Sequence, residues 1–239
     1  MKRMFLSAAM GLFAIAVQAE VTLPGWMTSN MVLQQQTGAP IWGEATPGKN
    51  VFVTTSWDDV TYQTTADSNG KWLVKVYTPK AGGPYSITIS DGKKVVLDNV
   101  MIGEVWICSG QSNMEMTMGI IKNAEEEIAD TKNHPNMRLL KVLRETSKEP
   151  KSTFEAAGYG WQVGSPEWTK EFSAVAYLFG RELEKYRDVP IGLIETCWGG
   201  TDIKTWISHD FIEQMPEYHH EANNLDSVFH VYKDLDAVY

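Results

Sequence analysis

Apolar and polar positions alternate along the chain up to about residue 100. Val51-Phe52-Val53-Thr54-Thr55, Val60-Thr61-Tyr62-Gln63-Thr64, Trp72-Leu73-Val74-Lys75-Val76-Tyr77 and Tyr85-Ser86-Ile87-Thr88-Ile89 all repeat with a period of two. That period, carried by β-branched and aromatic side chains, marks half-buried strands. Turn signals separate the runs: Asp67-Ser68-Asn69-Gly70, Gly82-Gly83-Pro84 and Asp91-Gly92. Short strands at this spacing predict an all-β sandwich over residues 20–100, with no helix.

The pattern changes near residue 101. Glu104-Val105-Trp106-Ile107-Cys108 is a short apolar strand that runs into the polar turn Ser109-Gly110-Gln111-Ser112-Asn113. A helix-like stretch containing Glu125-Glu126-Glu127-Ile128 follows, then a second strand at Met137–Leu143. Lys148 to Trp168 is polar and glycine-bearing and reads as a long loop. Phe172, Val175, Ala176, Phe179, Leu183 and Tyr186 recur at helical spacing, and Val189-Pro190 stops that helix. A third strand, Ile191–Thr196, ends in Cys197-Trp198-Gly199-Gly200-Thr201. Strands alternating with helices predict a parallel α/β sheet over residues 101–239.

The first residues change the picture of where the protein works. Lys2 and Arg3 precede the apolar run Met4–Val17, and Val17-Gln18-Ala19 offers small residues for cleavage. This is the pattern of an export signal over residues 1–19, and the run is too short for a membrane span. The expected location is therefore periplasmic or extracellular, with no membrane span after cleavage. Of 21 basic and 30 acidic side chains, cleavage removes only Lys2 and Arg3. So acidic a chain lacks the basic footprint of a nucleic-acid or membrane-surface binder. Two cysteines, Cys108 and Cys197, do not make a disulfide scaffold, and whether they pair is left open. Nine tryptophans fit well-filled cores or sugar-stacking surfaces equally well.

Candidate chemistry lies at the strand ends. Ligands of open parallel sheets bind beyond the carboxyl ends of the strands, where two glycine-bearing turns occur, Ser109–Asn113 and Gly199–Asp202. If their strands are neighbours, a hydroxyl and free backbone N–H groups share one crevice, which is what a nucleophile facing an oxyanion hole needs. Gly110-Gln111-Ser112-Asn113-Met114 is not the G-x-S-x-G elbow, because Met114 replaces the second glycine. A strand-to-helix turn capped by Ser112 or Asn113 fits the pentapeptide as well. None of the five histidines follows a strand with an Asp three residues before it; Asp130 to His134 and Asp226 to His230 are each separated by four. No His/Cys/Asp cluster has zinc spacing and no phosphate-loop signature is present, so neither metal nor cofactor is expected.

Several longer blocks carry a resemblance. Trp106-Ile107-Cys108-Ser109-Gly110-Gln111-Ser112-Asn113-Met114-Glu115 and Pro190-Ile191-Gly192-Leu193-Ile194-Glu195-Thr196-Cys197-Trp198-Gly199-Gly200-Thr201 resemble, in order, the first two blocks of the sialate O-acetylesterases, a branch of the SGNH hydrolases. Asn30-Met31-Val32-Leu33-Gln34, Ile41-Trp42-Gly43 and Gly82-Gly83-Pro84-Tyr85 are similar to the β domain that precedes the hydrolase domain there. The resemblance implies an SGNH-like α/β hydrolase domain after an all-β sandwich. It implies Ser112 as the acetyl-accepting nucleophile, whose own N–H is one oxyanion donor. It also implies Gly199 or Gly200 as the second donor, with Gln111 and Asn113 shaping the substrate-side turn.

The implied reaction removes acetyl esters from O-acetylated sialic acid or a related acetylated glycan, through an acyl-serine and without a metal. The family's Gln-Gly-Glu and Asp-x-x-His blocks do not occur before Tyr239. The expectation is thus a truncated hydrolase domain, inactive as the 239-residue chain, with its catalytic His and Asp further on. A non-catalytic glycan-binding or degenerate esterase, and an acetylesterase of other glycans such as xylan, are the alternatives.

Overall fold

The computed structural model describes residues 21–147 and 150–218; the expected signal segment lies outside the described residues. Six strands form before residue 91: β1 (Val32–Gln34), β2 (Gly38–Glu44), β3 (Asn50–Thr55), β4 (Thr61–Thr65), β5 (Lys71–Tyr77) and β6 (Gly82–Ser90). The last four are the strands that alternation predicts. β2 is obscured in the sequence by Gly38, Pro40 and Gly43, yet it buries Ala39 and Ile41 on one face. β2 and β5 form a small antiparallel sheet, while β3, β4 and β6 belong to a larger one. Side chains from both sheets close a single core, with Ile41, Val76, Val51, Val53, Ile87, Ile89 and Val100 all fully buried. Each such side chain contributes about 1.5–3 kcal/mol through burial.

The next strand, β7 (Lys94–Gly110), is 17 residues long and serves both halves of the chain. Its first part pairs antiparallel with β6, and Met101–Gly103 pairs parallel with β1. The expected division between residues 100 and 101 falls inside this strand. After it come β8 (Met137–Lys141), β9 (Gln162–Val163) and β10 (Ile191–Cys197). β10 lies between β7 and β8 and is parallel to both, so the large sheet is mixed and runs β4-β3-β6-β7-β10-β8-β9. Of the stretch read as a loop over 148–168, the described residues 150–168 are more regular than their polarity suggests. They carry β9, paired to β8 at Arg138 and Leu139, and the buried Trp161.

Five α-helices are described: α1 (Ser112–Glu115), α2 (Ala124–Asp130), α3 (Pro166–Lys170), α4 (Ala174–Arg187) and α5 (His209–Ile212). α4 begins where the Ser173 side chain caps the Ala176 N–H at 3.2 Å, and it ends at Asp188 in the left-handed conformation, just before Pro190. Its buried face, with Phe172 and Tyr177, covers Leu139, Ile191 and Leu193 in a second core. Among the described residues no helix is long and apolar enough to cross a membrane.

A polar clasp joins the two halves. The Gln34 and Gln35 side-chain amides donate to the two oxygens of Glu104, at 3.1 and 2.8 Å, and Gln34 accepts the Val105 N–H at 3.0 Å. These bonds, Gln35's first and Gln34's second, hold the Glu104 carboxyl below its ordinary range. Beyond Val105 this edge of β7 has no strand beside it among the described residues, and Ile107 is 70% exposed.

Cys108 and Cys197 are separate, buried free thiols, and Cys108 belongs to the second core. Burial, reinforced by the nearby Glu195 carboxylate, pushes both up to about 11 from an ordinary 9.0.

Two outcomes follow from this packing. A methyl group on Gly103 would sit 2.8 Å from the Pro190 carbonyl carbon, where β7 meets the start of β10. Gly103→Ala is expected to cost about 2 kcal/mol, read as a lower urea midpoint at unchanged slope. In the folded chain at pH 7, both thiols should react with a disulfide reagent about a hundredfold more slowly than an ordinary cysteine, since two pH units separate their thiolate fractions. Urea should restore the ordinary rate, and intact mass should show both thiols reduced.

Candidate active site

The polar turn after β7 is shaped by one glycine and anchored by one methionine. Gly110 has φ 153°, outside the range that side chains adopt readily. The chain then turns directly into α1, where the Glu115 N–H donates to the Gln111 carbonyl at 2.9 Å and the Met116 N–H to the Ser112 carbonyl at 3.1 Å. Gln111 takes the N-cap position and no side chain caps the helix. Neither Ser112 nor Asn113 therefore acts as a cap. Gln111, Ser112 and Asn113 all face outward, and the Ser112 hydroxyl has no hydrogen-bond partner among the described residues. Met114 points inward against the second core and lies 3.3 Å from the Ser173 hydroxyl. The side chain that breaks the G-x-S-x-G pattern is thus what seats the turn.

The turn after β10 meets the first one. In the parallel register Cys197 stands opposite Gly110, so both turns leave the sheet at the same level. The Trp198 N–H donates to the Gly110 carbonyl at 3.0 Å. Gly199 lies against the Ser112 turn: a methyl group on it would be 3.6 Å from the Ser112 Cα. Its N–H donates to the Glu115 carboxylate. Gly200 has φ 79° and is exposed, and its N–H has no partner among the described residues. Downstream, the Thr201 hydroxyl donates to the Trp198 carbonyl at 2.7 Å and accepts the Trp206 indole N–H at 2.9 Å. The structure brings Gln111, Ser112, Asn113, Gly199 and Gly200 to one end of the sheet, as the neighbouring-strand reading requires.

Three charged residues at this end escape sequence reasoning. Glu115 pairs with Arg144 through its other oxygen, and the Arg144 guanidinium lies 5.7 Å over the Trp198 ring. Glu195, 3% exposed, accepts the Ser173 N–H at 2.8 Å and faces Lys141 at 3.1 Å. It ties the start of α4 to β10 and satisfies a buried charge on both oxygens. Only a contact map could reveal these pairs, since Glu115 and Gly199 are 84 residues apart.

The histidines do not complete the site among the described residues. His134 is buried before the start of β8, the end of the sheet opposite Ser112, and its ring nitrogens meet Glu184 and, at 3.2 Å, Asp130. The Asp130–His134 spacing is thus a structural contact between the end of α2 and the turn before β8, and Glu184 ties the same ring to α4. His209, on α5, makes no hydrogen bond to Ser112. His219, His220 and His230, with Asp226, lie outside the described residues. No group of three or more His, Cys, Asp or Glu side chains among the described residues is arranged to hold a metal ion.

The family described as carbohydrate esterase, sialic acid-specific acetylesterase matches residues 102–231, more than half of the chain. Sialate O-acetylesterases of Pongo abelii and Homo sapiens are each 34% identical over 198 residues, covering 77% of this chain and 38% of theirs. The chain therefore spans under two fifths of the length of these relatives. A crystal structure of XAC1771, described as a novel carbohydrate acetylesterase from Xanthomonas citri, superposes with a TM-score of 0.76 at 31% identity, over 82% of this chain and 44% of that one. From its matched residues and these relatives, the chain belongs to the sialic acid-specific acetylesterase family of carbohydrate esterases.

Proposed function

We propose that the protein is an exported sialate O-acetylesterase in which Ser112 is the nucleophile. One observation carries the reading: a free, outward-facing serine hydroxyl and an unpartnered glycine N–H emerge at the same level from two adjacent parallel strands. On this reading residues 20–100 are a β-sandwich, and an SGNH-like hydrolase sheet follows from residue 101.

The chemistry is acyl transfer. The Ser112 oxygen attacks the acetyl carbonyl carbon and its proton passes to a general base. The carbonyl oxygen becomes an oxyanion held by backbone N–H groups of Ser112 and the glycine turn. Collapse breaks the ester C–O bond, and the sugar oxygen leaves with the proton. Water then attacks the acetyl-serine, releasing acetate and restoring the hydroxyl. On this reading the base and its orienting carboxylate come from outside the described residues, because His134 is held at the other end of the sheet by Glu184 and Asp130 and His209 makes no hydrogen bond to Ser112. Gln111 and Asn113, exposed beside Ser112, are placed to meet the sugar.

The substrate is an O-acetylated sialic acid. The description of the Xanthomonas citri neighbour as a carbohydrate acetylesterase keeps other acetylated glycans as the second reading. In the whole protein, Ser112→Ala is expected to lower acetate release from O-acetylated sialic acid by at least about a thousandfold. Turnover retained by that variant would remove Ser112 from the mechanism. Faster release from acetylated xylan than from sialic acid would move the substrate to the second reading.

A further inference from the structure

Glu115 is part of α1, three residues after the nucleophile, yet both its oxygens reach to other segments. One accepts the Gly199 N–H and the other meets Arg144. Arg144 in turn lies over the ring of Trp198, the residue before Gly199. A carboxylate and a cation thus hold the Trp198–Gly200 turn from two sides, and Trp198 is further tied to the Gly110 carbonyl. Hydrogen bonds to an ionised carboxylate are roughly twice as strong as neutral ones.

Resting on the esterase reading above, we propose that Glu115 is the positioning residue of the oxyanion hole. It takes up the Gly199 N–H and so fixes the Gly200 N–H as the donor that this turn offers to the reacting carbonyl oxygen. Gly199 is then a spacer whose N–H is already committed, and a side chain there would run into the Glu115 carboxylate that holds it. Gly200 is the functional member of the pair, with a φ of 79° that favours glycine and an N–H free of any partner among the described residues. Glu115 itself does not touch the substrate. It acts by keeping the second donor at a constant place relative to Ser112, a requirement that applies to the transition state more than to substrate binding.

The variants Glu115→Ala and Glu115→Gln separate this role from a merely structural ion pair. Gln keeps an oxygen that accepts the Gly199 N–H but abolishes the charge pair with Arg144. In the whole protein, Glu115→Ala is expected to lower kcat for acetate release by about a hundredfold, with KM within about threefold, the size of losing one oxyanion donor. Glu115→Gln is expected to recover kcat to within about tenfold of the parent. In parallel, amide hydrogen exchange of the 239-residue chain, read residue by residue by NMR, should find the Gly199 amide protected and the Gly200 amide fast. Protection at Gly199 should survive in Glu115→Gln and vanish in Glu115→Ala.

A Glu115→Ala enzyme with parental kcat overturns the proposal, as does a Glu115→Gln enzyme no better than the alanine variant. So does a parent chain in which Gly199 exchanges as fast as Gly200, a result that needs no variant to fold. Retained turnover in Ser112→Ala would instead remove the esterase reading, and the exchange measurement would still test the clamp.

Discussion

The parallel pairing of β7 with β10 is the interaction on which the rest of the site depends. It sets Glu104 against Ile191 and Gly110 against Cys197, so the two strands run out together and hand over to their turns at one level. The register is held from both ends. At the start, the Glu104 N–H donates to the Pro190 carbonyl and Gly103 admits that carbonyl at close range. At the finish, the Trp198 N–H closes on Gly110. A slip of one residue would turn Ile191 and Leu193 away from α4 and bring Gly192 and Ile194 beneath it. It would also separate Glu195 from the Ser173 N–H and Lys141, leaving a charge buried without partners. Packing and electrostatics therefore specify the same register, and the placement of the two turns inherits it.

Much of this architecture is legible in the sequence, and the exceptions have physical causes. β3, β5 and α4 are readable because each buries one face and exposes the other, and β6 because buried Ile87 and Ile89 alternate with half-buried polar residues, whereas β10, with no exposed residue, is readable only as a short apolar run between Pro190 and a glycine turn. β1 is too short to show a period. The first part of β7 is hidden for another reason: of Lys94–Asn99 only Leu97 is buried, so there is little apolar pattern to see. β9 is two residues of a polar stretch, and it exists because β8 offers it an edge and Trp161 beside it is buried.

The site divides in the same way. Ser112 and the two glycines are readable because they sit where strands end in glycine-rich turns, and turn chemistry is local. Which glycine keeps its N–H is not local, since it depends on a carboxylate 84 residues earlier in the chain. Arg144 and Glu195 are invisible for the same reason, each gaining its partner only when β10 enters between β7 and β8. Met114 is the instructive case. Judged against a motif it counts as a defect, whereas in the fold it is the apolar foot of the turn, packed against the second core.

The length of β7 has a mechanical consequence. A 17-residue strand that is hydrogen-bonded to β6 and β1 along one part and to β10 along the other leaves no unpaired linker at the junction. Its backbone cannot bend there without breaking ladder bonds on both sides, and the Gln34–Glu104–Gln35 clasp stiffens the joint. Hinge closure of the β layer over Ser112, the way many two-part enzymes sequester their substrates, is thus denied to this chain. The β layer behaves as a fixed brace, and any gating of the crevice falls to segments beyond the strand ends.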